Sequence, residues 1–223
     1  DDYGVACIRK FDDPTSAFSM TGSTHDIILA RLGETYLVAA EAYVKLDQPD
    51  KAKIKINELR ERATEAGYDL SVQESDLTGE QGIDFILDER ARELYYEENR
   101  HVELSRISYV YALTGKACEV FGGHVYKLDN FSGPKGTSVN CKDAGVNFYF
   151  DWVSAKNNFY NKGIKTNYAE YRFSTHHVLW PIPEGSITSN TGGVINQNVG
   201  YPGTENNITP LKVGQEVPSE SAQ

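Results

Sequence analysis

Apolar residues recur at three and four residue intervals along the first third of the chain, at Ile28, Leu32, Tyr36, Ala39, Ala40 and Tyr43, and Ile27, Leu29, Leu37 and Val38 widen the stripe. That period predicts a helix over 25–46 that is buried on most of its sides. Asp47-Gln48-Pro49-Asp50 breaks it, and Pro49 suits the first turn of a second helix. There Ala52, Ile56, Leu59 and Ala63 share a face, and Gly67 is a natural stop. After a polar loop from Asp69 to Gln81, Ile83, Ile86, Leu87, Ala91, Leu94 and Tyr95 predict a third helix running to about Arg100. A further helical stretch is expected to continue through Val102 to Leu113.

The first two helices have the spacing of one tetratricopeptide-type repeat. Ala40, Tyr43, Ala52 and Ile56 stand at its small, aromatic, small and large positions. A lone hairpin cannot bury both its faces, so its neighbours must come from elsewhere in the protein.

Beyond residue 114 the pattern changes. Residues 115–147 contain Gly122-Gly123, Ser132-Gly133-Pro134 and Lys135-Gly136, and short extended pieces such as Val125-Tyr126-Lys127-Leu128 interrupt them. This predicts a loop or hairpin excursion. Long ordered loops often carry function, so Tyr126 and Phe131, on a segment expected to face solvent, are the ligand-contact candidates. The densest aromatic run follows, Phe148-Tyr149-Phe150-Asp151-Trp152 with Phe159-Tyr160. Exposed faces there would stack on sugar, but Phe148, Trp152, Ala155 and Phe159 lie at helical spacing, which favours a buried stripe. Residues 168–180 read as extended chain, with His176 and His177 on opposite sides and therefore a poor metal chelate. A polar tail occupies 202–223, and its Asn207-Ile208-Thr209 sequon is a common chance match.

Charge narrows the function. With 22 basic and 32 acidic residues the formal charge is −10, and no basic stripe is concentrated enough to suit nucleic acid. No run of 18 apolar residues exists, so no transmembrane helix is expected. Cys7, Cys118 and Cys141 fit no C-x-x-C zinc spacing; Cys118 and Cys141 would close the Gly-rich segment as a disulfide, or all three stay thiols. No cofactor or metal motif is present. Glu89, Glu93 and Glu97 form an i, i+4 stripe of like charge, unfavourable unless cations intervene. One reading is a carboxylate pair for acid–base chemistry, as in a glycoside hydrolase. The other is an ion-pair lattice clamping packed helices, drawn from Arg31, Glu34, Glu41, Arg60, Glu89, Arg90, Glu93, Glu97 and Arg100. The number of arginines at packing positions favours the lattice.

Four separated blocks together resemble the C-terminal part of the SusD/RagB family. They are Arg31, Glu34, Tyr36, Leu37 and Ala40-Glu41-Ala42; Asn57 with Arg60 and Arg62-Ala63; Glu89-Arg90, Glu93-Leu94, Glu97, Arg100 and Leu104; and Trp180-Pro181-Ile182-Pro183 with Gln197-Asn198-Val199-Gly200-Tyr201. The match runs over nearly all of 1–201. Val199 stands where proline is common in the family and Glu103 where aspartate is common.

The resemblance implies a mainly α fold, a tetratricopeptide-like helical scaffold with long loops and a few short strands. Within it, 25–67 would be the helical hairpin, 83–114 the Glu/Arg-rich helical segment, 115–147 the excursion and 148–201 the aromatic helix with the final motifs. It implies a protein without chemistry of its own, which captures oligosaccharides, or peptides in RagB-like members, at the surface of a Bacteroides-like bacterium. The partner it implies is a SusC-like TonB-dependent outer-membrane transporter. Family members are about twice this length and carry a lipid-anchored N-terminal cysteine. The segment is therefore expected to be part of a larger protein, with the anchor, and much of any glycan site, on the portion before it.

Overall fold

A computed structural model describes residues 28–128, 145–156 and 173–208, with Asp13, Asp26 and Phe131. The fold is mainly helical. Its principal elements are α1 (Leu32–Lys45), α2 (Pro49–Ala63), α3 (Gly79–Glu93), α4 (Arg100–Thr114) and α5 (Phe148–Lys156). Among the described residues no strand forms. Of the short strands expected of the excursion, the described residues hold one isolated antiparallel bridge, Cys118 to His124.

α1 starts later than its periodicity predicts, because Arg31 is extended (φ −144°, ψ 162°) and ends the approach segment. Leu37, Ala40 and Val44 make the buried face of α1, against Ala52, Ile56 and Leu59 of α2. The expectation of burial on most sides fails: Leu32 is 63% and Val38 52% exposed. Those apolar residues continue the sequence pattern onto the exposed side of α1. Ala63, at the frayed end of α2, is also exposed. The turn is set locally. Asp47 adopts a left-handed φ of 56°, which Asp tolerates better than most residues, and Gln48 N–H donates to Tyr43 O at 2.9 Å. Pro49 then opens α2, where its missing N–H costs nothing. Between α2 and α3, the side-chain amide of Asn57 holds the loop by accepting from Val72 N (2.8 Å) and donating to Val72 O (3.4 Å).

The third helix does not reach Arg100. α3 is capped at Leu94, Tyr96 turns to a φ of 65°, and α4 begins afresh behind Asn99, whose side chain accepts from Val102 N at 3.4 Å. α5 packs against α4. Phe148, Tyr149, Phe150 and Trp152 are buried, whereas Ala155 is exposed and Phe159 and Tyr160 lie outside the described residues. Asn147, fully buried, is the joint at its start: Oδ1 accepts from Phe150 N (2.8 Å), and Nδ2 donates to Phe131 O (2.9 Å) and Thr175 O (3.0 Å). Trp152 Nε1 donates to Asp84 at 2.8 Å, tying α5 to α3. One continuous core results, running from Leu37 through Ile86, Leu104 and Phe148 to Val178.

Candidate functional site

The carboxylates of α3 and the turn after it meet guanidinium groups from three directions. Arg31 donates to Glu93 Oε1 (2.5 Å), to Glu93 O (2.6 Å) and to Glu97. Arg62 reaches the same Glu93 Oε1 at 2.7 Å. Arg60 grips Glu89 in a bidentate pair (3.0 and 2.7 Å) and donates to Leu70 O (2.8 Å), while its guanidinium covers the Phe85 ring. Arg92 adds a second cation to Glu89 at 2.5 Å. Because α3 stops at Glu93, Glu97 is not on the same helical stripe as Glu89. The Arg31 side chain brings Glu93 and Glu97 together instead. Gly33 makes room for this contact: a Cβ there would lie 2.4 Å from Arg31 Nη1 and 3.1 Å from Glu93 Oε1.

A second group of ion pairs joins α3, α1 and α4. Arg90, whose side chain is 3% exposed, donates to Glu98 at 2.8 Å through Nε and lies 3.5 Å from Glu103 and 3.9 Å from Glu34. Arg106 bridges Glu41 of α1 (2.7 and 2.9 Å) to Glu103 of its own helix (2.5 and 3.1 Å). Sequence reasoning omitted Arg106 and Glu98. The position of Glu103 three residues before Arg106 was a signal for the first. Arg100 departs from expectation. It stacks on the Trp152 ring at 4.7 Å, and neither Nη1 nor Nη2 has a hydrogen-bond partner. Burial lowers its pKa although Glu98, Asp88 and Glu103 oppose the shift.

The electrostatics of these groups suit a clamp. Burial alone would raise the pKa of Glu89, but hydrogen bonds from Arg60 and Arg92 outweigh it and leave it lowered. Glu103 is likewise lowered, burial being overcome by Arg106, Arg90 and Arg100. Bonding to Glu97 and Glu93 raises Arg31 despite its desolvation. A glycosidase acid needs a carboxyl whose pKa is raised so that it holds a proton to give. Glu89 is shifted the opposite way.

The loop aromatics do not form a stacking surface. Tyr126 is 1% exposed, its hydroxyl donates to Asp151 Oδ2 at 2.8 Å, and burial raises its pKa. Asp151 also takes the Gly145 N–H at 3.0 Å, so this pair pins the returning chain against α5. Phe131 is half-buried, edge-on to Tyr109 with centroids 5.7 Å apart. The reason for the burial is local. The bridge at Cys118 and His124 turns the excursion back onto α4 and α5, so its first segment supplies core. Cys118 is a free, buried thiol whose pKa is pushed up to about 11 by desolvation. Cys7 and Cys141 lie outside the described residues.

The C-terminal motifs form a frame of neutral amides. Pro181 and Pro183 cannot donate, so Trp180-Pro181-Ile182-Pro183 cannot pair as an inner strand. Gln197, 8% exposed, pairs with it through its side chain, accepting from Ile182 N (2.8 Å) and donating to Ile182 O (2.9 Å). Asn198 Nδ2 donates to Trp180 O (2.6 Å) and the Tyr201 hydroxyl to Leu179 O (2.7 Å). Asn207 clasps both backbone groups of Gln197 at 2.7 Å, and Asn196 does the same for Ile208 at 2.6 and 2.9 Å. The stretch to Ile208 is therefore part of this frame, and the Asn207 amide of the sequon is fully engaged. Gly200 (φ 97°) lies against His176, where a Cβ would come within 2.4 Å of the ring.

His176 and His177 sit on one 3-10 turn, Thr175–Val178, with ring centroids 4.3 Å apart, instead of on opposite sides of a strand. His177 Nδ1 accepts from Ser174 N at 2.9 Å, and burial with neighbouring His176 and His101 depresses its pKa to about 4. His101 Nε2 and Ser105 Oγ fasten this turn to α4 through His177 O (2.7 Å) and Val178 O (2.5 Å). Among the described residues no group of three His, Cys, Asp or Glu could hold a metal ion. Among the described residues no helix is long and apolar enough to cross a membrane.

Neither a curated protein nor a solved structure matches this chain. The model of the SusD family matches residues 2–201, spanning the arginine–carboxylate clamp and the amide frame as far as Tyr201, and the chain belongs to that family.

Proposed function

We propose that this protein captures oligosaccharides from polysaccharide breakdown at the outer-membrane surface and passes them, unchanged, to a SusC-like TonB-dependent transporter. The family supports the coarse part of this reading, since its members are cell-surface nutrient binders and are in general not catalysts. The observation that carries the non-enzymatic part is the pairing of Glu89, Glu93 and Glu97 with arginines from neighbouring segments, which commits them to joining helices. A formal charge of −10 favours neutral cargo over acidic cargo.

The test is a glycan array with the full-length protein, together with affinity purification from the native membrane. A defined neutral oligosaccharide bound without turnover, and a copurifying β-barrel transporter with a plug domain, are the expected results. No glycan bound and no transporter recovered would overturn the proposal, and selective retention of peptides would transfer it to the peptide-binding branch of the family.

A further inference from the structure

The amide frame encloses a cleft of about 470 Å³ between the short helix Glu184–Thr188, the strip at Val194 and the turn after Tyr201. Its size lies within the range of roughly 300–1,000 Å³ usual for small-ligand sites. Three kinds of group line it. Ile187, Val194 and Pro202 offer an aliphatic flank, Glu184 and Glu205 offer carboxylates, and Asn206 offers an amide. Among the described residues, no lysine, arginine or histidine lines it.

We propose that this cleft is a saccharide subsite that takes one neutral sugar unit. The proposal rests on the oligosaccharide reading above and gives it a place. Sugar hydroxyls both donate and accept, so they can use carboxylate acceptors together with an amide that does both. The C–H face of a pyranose fits an aliphatic flank. An anionic ligand meets two carboxylates and no cation. An ammonium can only donate and would leave the Asn206 N–H groups unused.

The walls are pre-organised. Gln197 is fixed to Ile182, Asn207 to Gln197, and Glu205 accepts from Gly203 N at 3.2 Å, so binding has little chain to order. Because the other polar side chains of the frame are spent on backbone, the groups free to meet ligand are those of Glu184 and Asn206 and the second oxygen of Glu205.

The experiment titrates the chain with neutral hexoses and pentoses, with a uronic acid and with lysine amide, following amide chemical shifts. Two variants accompany it: Ile187→Trp, which fills the cleft, and Glu205→Gln with Asn206→Ala, which alters its polar groups on an exposed turn. The expected result is binding of at least one neutral sugar, with shifts at residues 184–188 and 202–207. Both variants should weaken it by about tenfold or more, with unchanged melting temperatures. Three outcomes overturn the subsite: sugar affinity unaffected by both variants, tighter binding of lysine amide or uronate than of neutral sugar, or no sugar bound by the chain. In any of these cases a positive glycan array on the full-length protein would leave the wider binding reading standing and locate its site elsewhere.

Discussion

Two regions of this molecule solve one problem with opposite chemistry. Each must join segments far apart in sequence where no sheet is available. Around α3 the bonds are ionic, from Arg31, Arg60, Arg90 and Arg106 to buried or half-buried glutamates. At the C-terminal end they are neutral, from Gln197, Asn198, Asn196 and Asn207 to backbone. The difference follows from what each region binds together. Helices have already satisfied their backbone, so only side chains are left to join them, and long charged ones reach furthest. The proline-interrupted segment has unpaired backbone groups, which short amides satisfy at close range. One join should respond to salt, and the other should not.

The largest effect is expected in the clamp. Arg90→Ala leaves Glu98 buried without its hydrogen-bonded cation and takes one of two cations from Glu103, and should cost about 3–5 kcal/mol, read from urea unfolding. A loss below about 1 kcal/mol would mean that these ions are solvated in practice. Next comes the frame. Gln197→Ala removes the bonds to Ile182 N and O and to Asn198 N and should cost about 2–3 kcal/mol, equally at low and high salt. A salt-dependent cost would break the comparison.

Acid should separate the regions again. His177 has a folded pKa of about 4 against an ordinary 6.5, so the unfolded chain binds more protons between those values. Its contribution is complete above about pH 6.5 and is lost as pH falls towards 4, by about 1–2 kcal/mol once solvent screening is discounted. His177→Asn should flatten that part of the stability profile in thermal melts. Glu89 and Glu103, lowered from 4.5, contribute fully above that pH and lose their share only below it. The smallest effect is assigned to Arg62→Ala. That side chain is 62% exposed, so its ion pair with Glu93 should be worth under about 1 kcal/mol and vanish in 0.5 M salt.

Much of the helical fold was legible because period and breakers coincide. Leu37, Ala40, Ala52 and Ile56 are buried where their spacing puts them, and Pro49 opens α2. Where tertiary context decided, the sequence misled. Ile28 and Leu29 continue the apolar pattern but precede the helix, and Leu32 and Val38 face outwards. Tyr96 breaks a run that periodicity would continue, and nothing about a tyrosine announces a left-handed φ. Solvent exposure of the loop aromatics follows in the sequence only from their place on a loop, since loops usually face solvent. Tyr126 is core because a single bridge at Cys118 folds its segment inwards. The amide frame was half visible: prolines alternate with apolar residues at 180–183, and a cluster of Asn and Gln follows. Prolines that cannot donate, followed by side chains able to replace a ladder, are a readable pair.

The central claim is that the acidic groups of α3 hold helices and perform no hydrolysis. It is tested most directly by comparing the native chain with Glu93→Gln, measuring the urea midpoint and the release of reducing sugar from oligosaccharides side by side. The account predicts a lower midpoint for the variant and no release from either protein. Steady release by the native chain, abolished in Glu93→Gln with the midpoint unchanged, would contradict it.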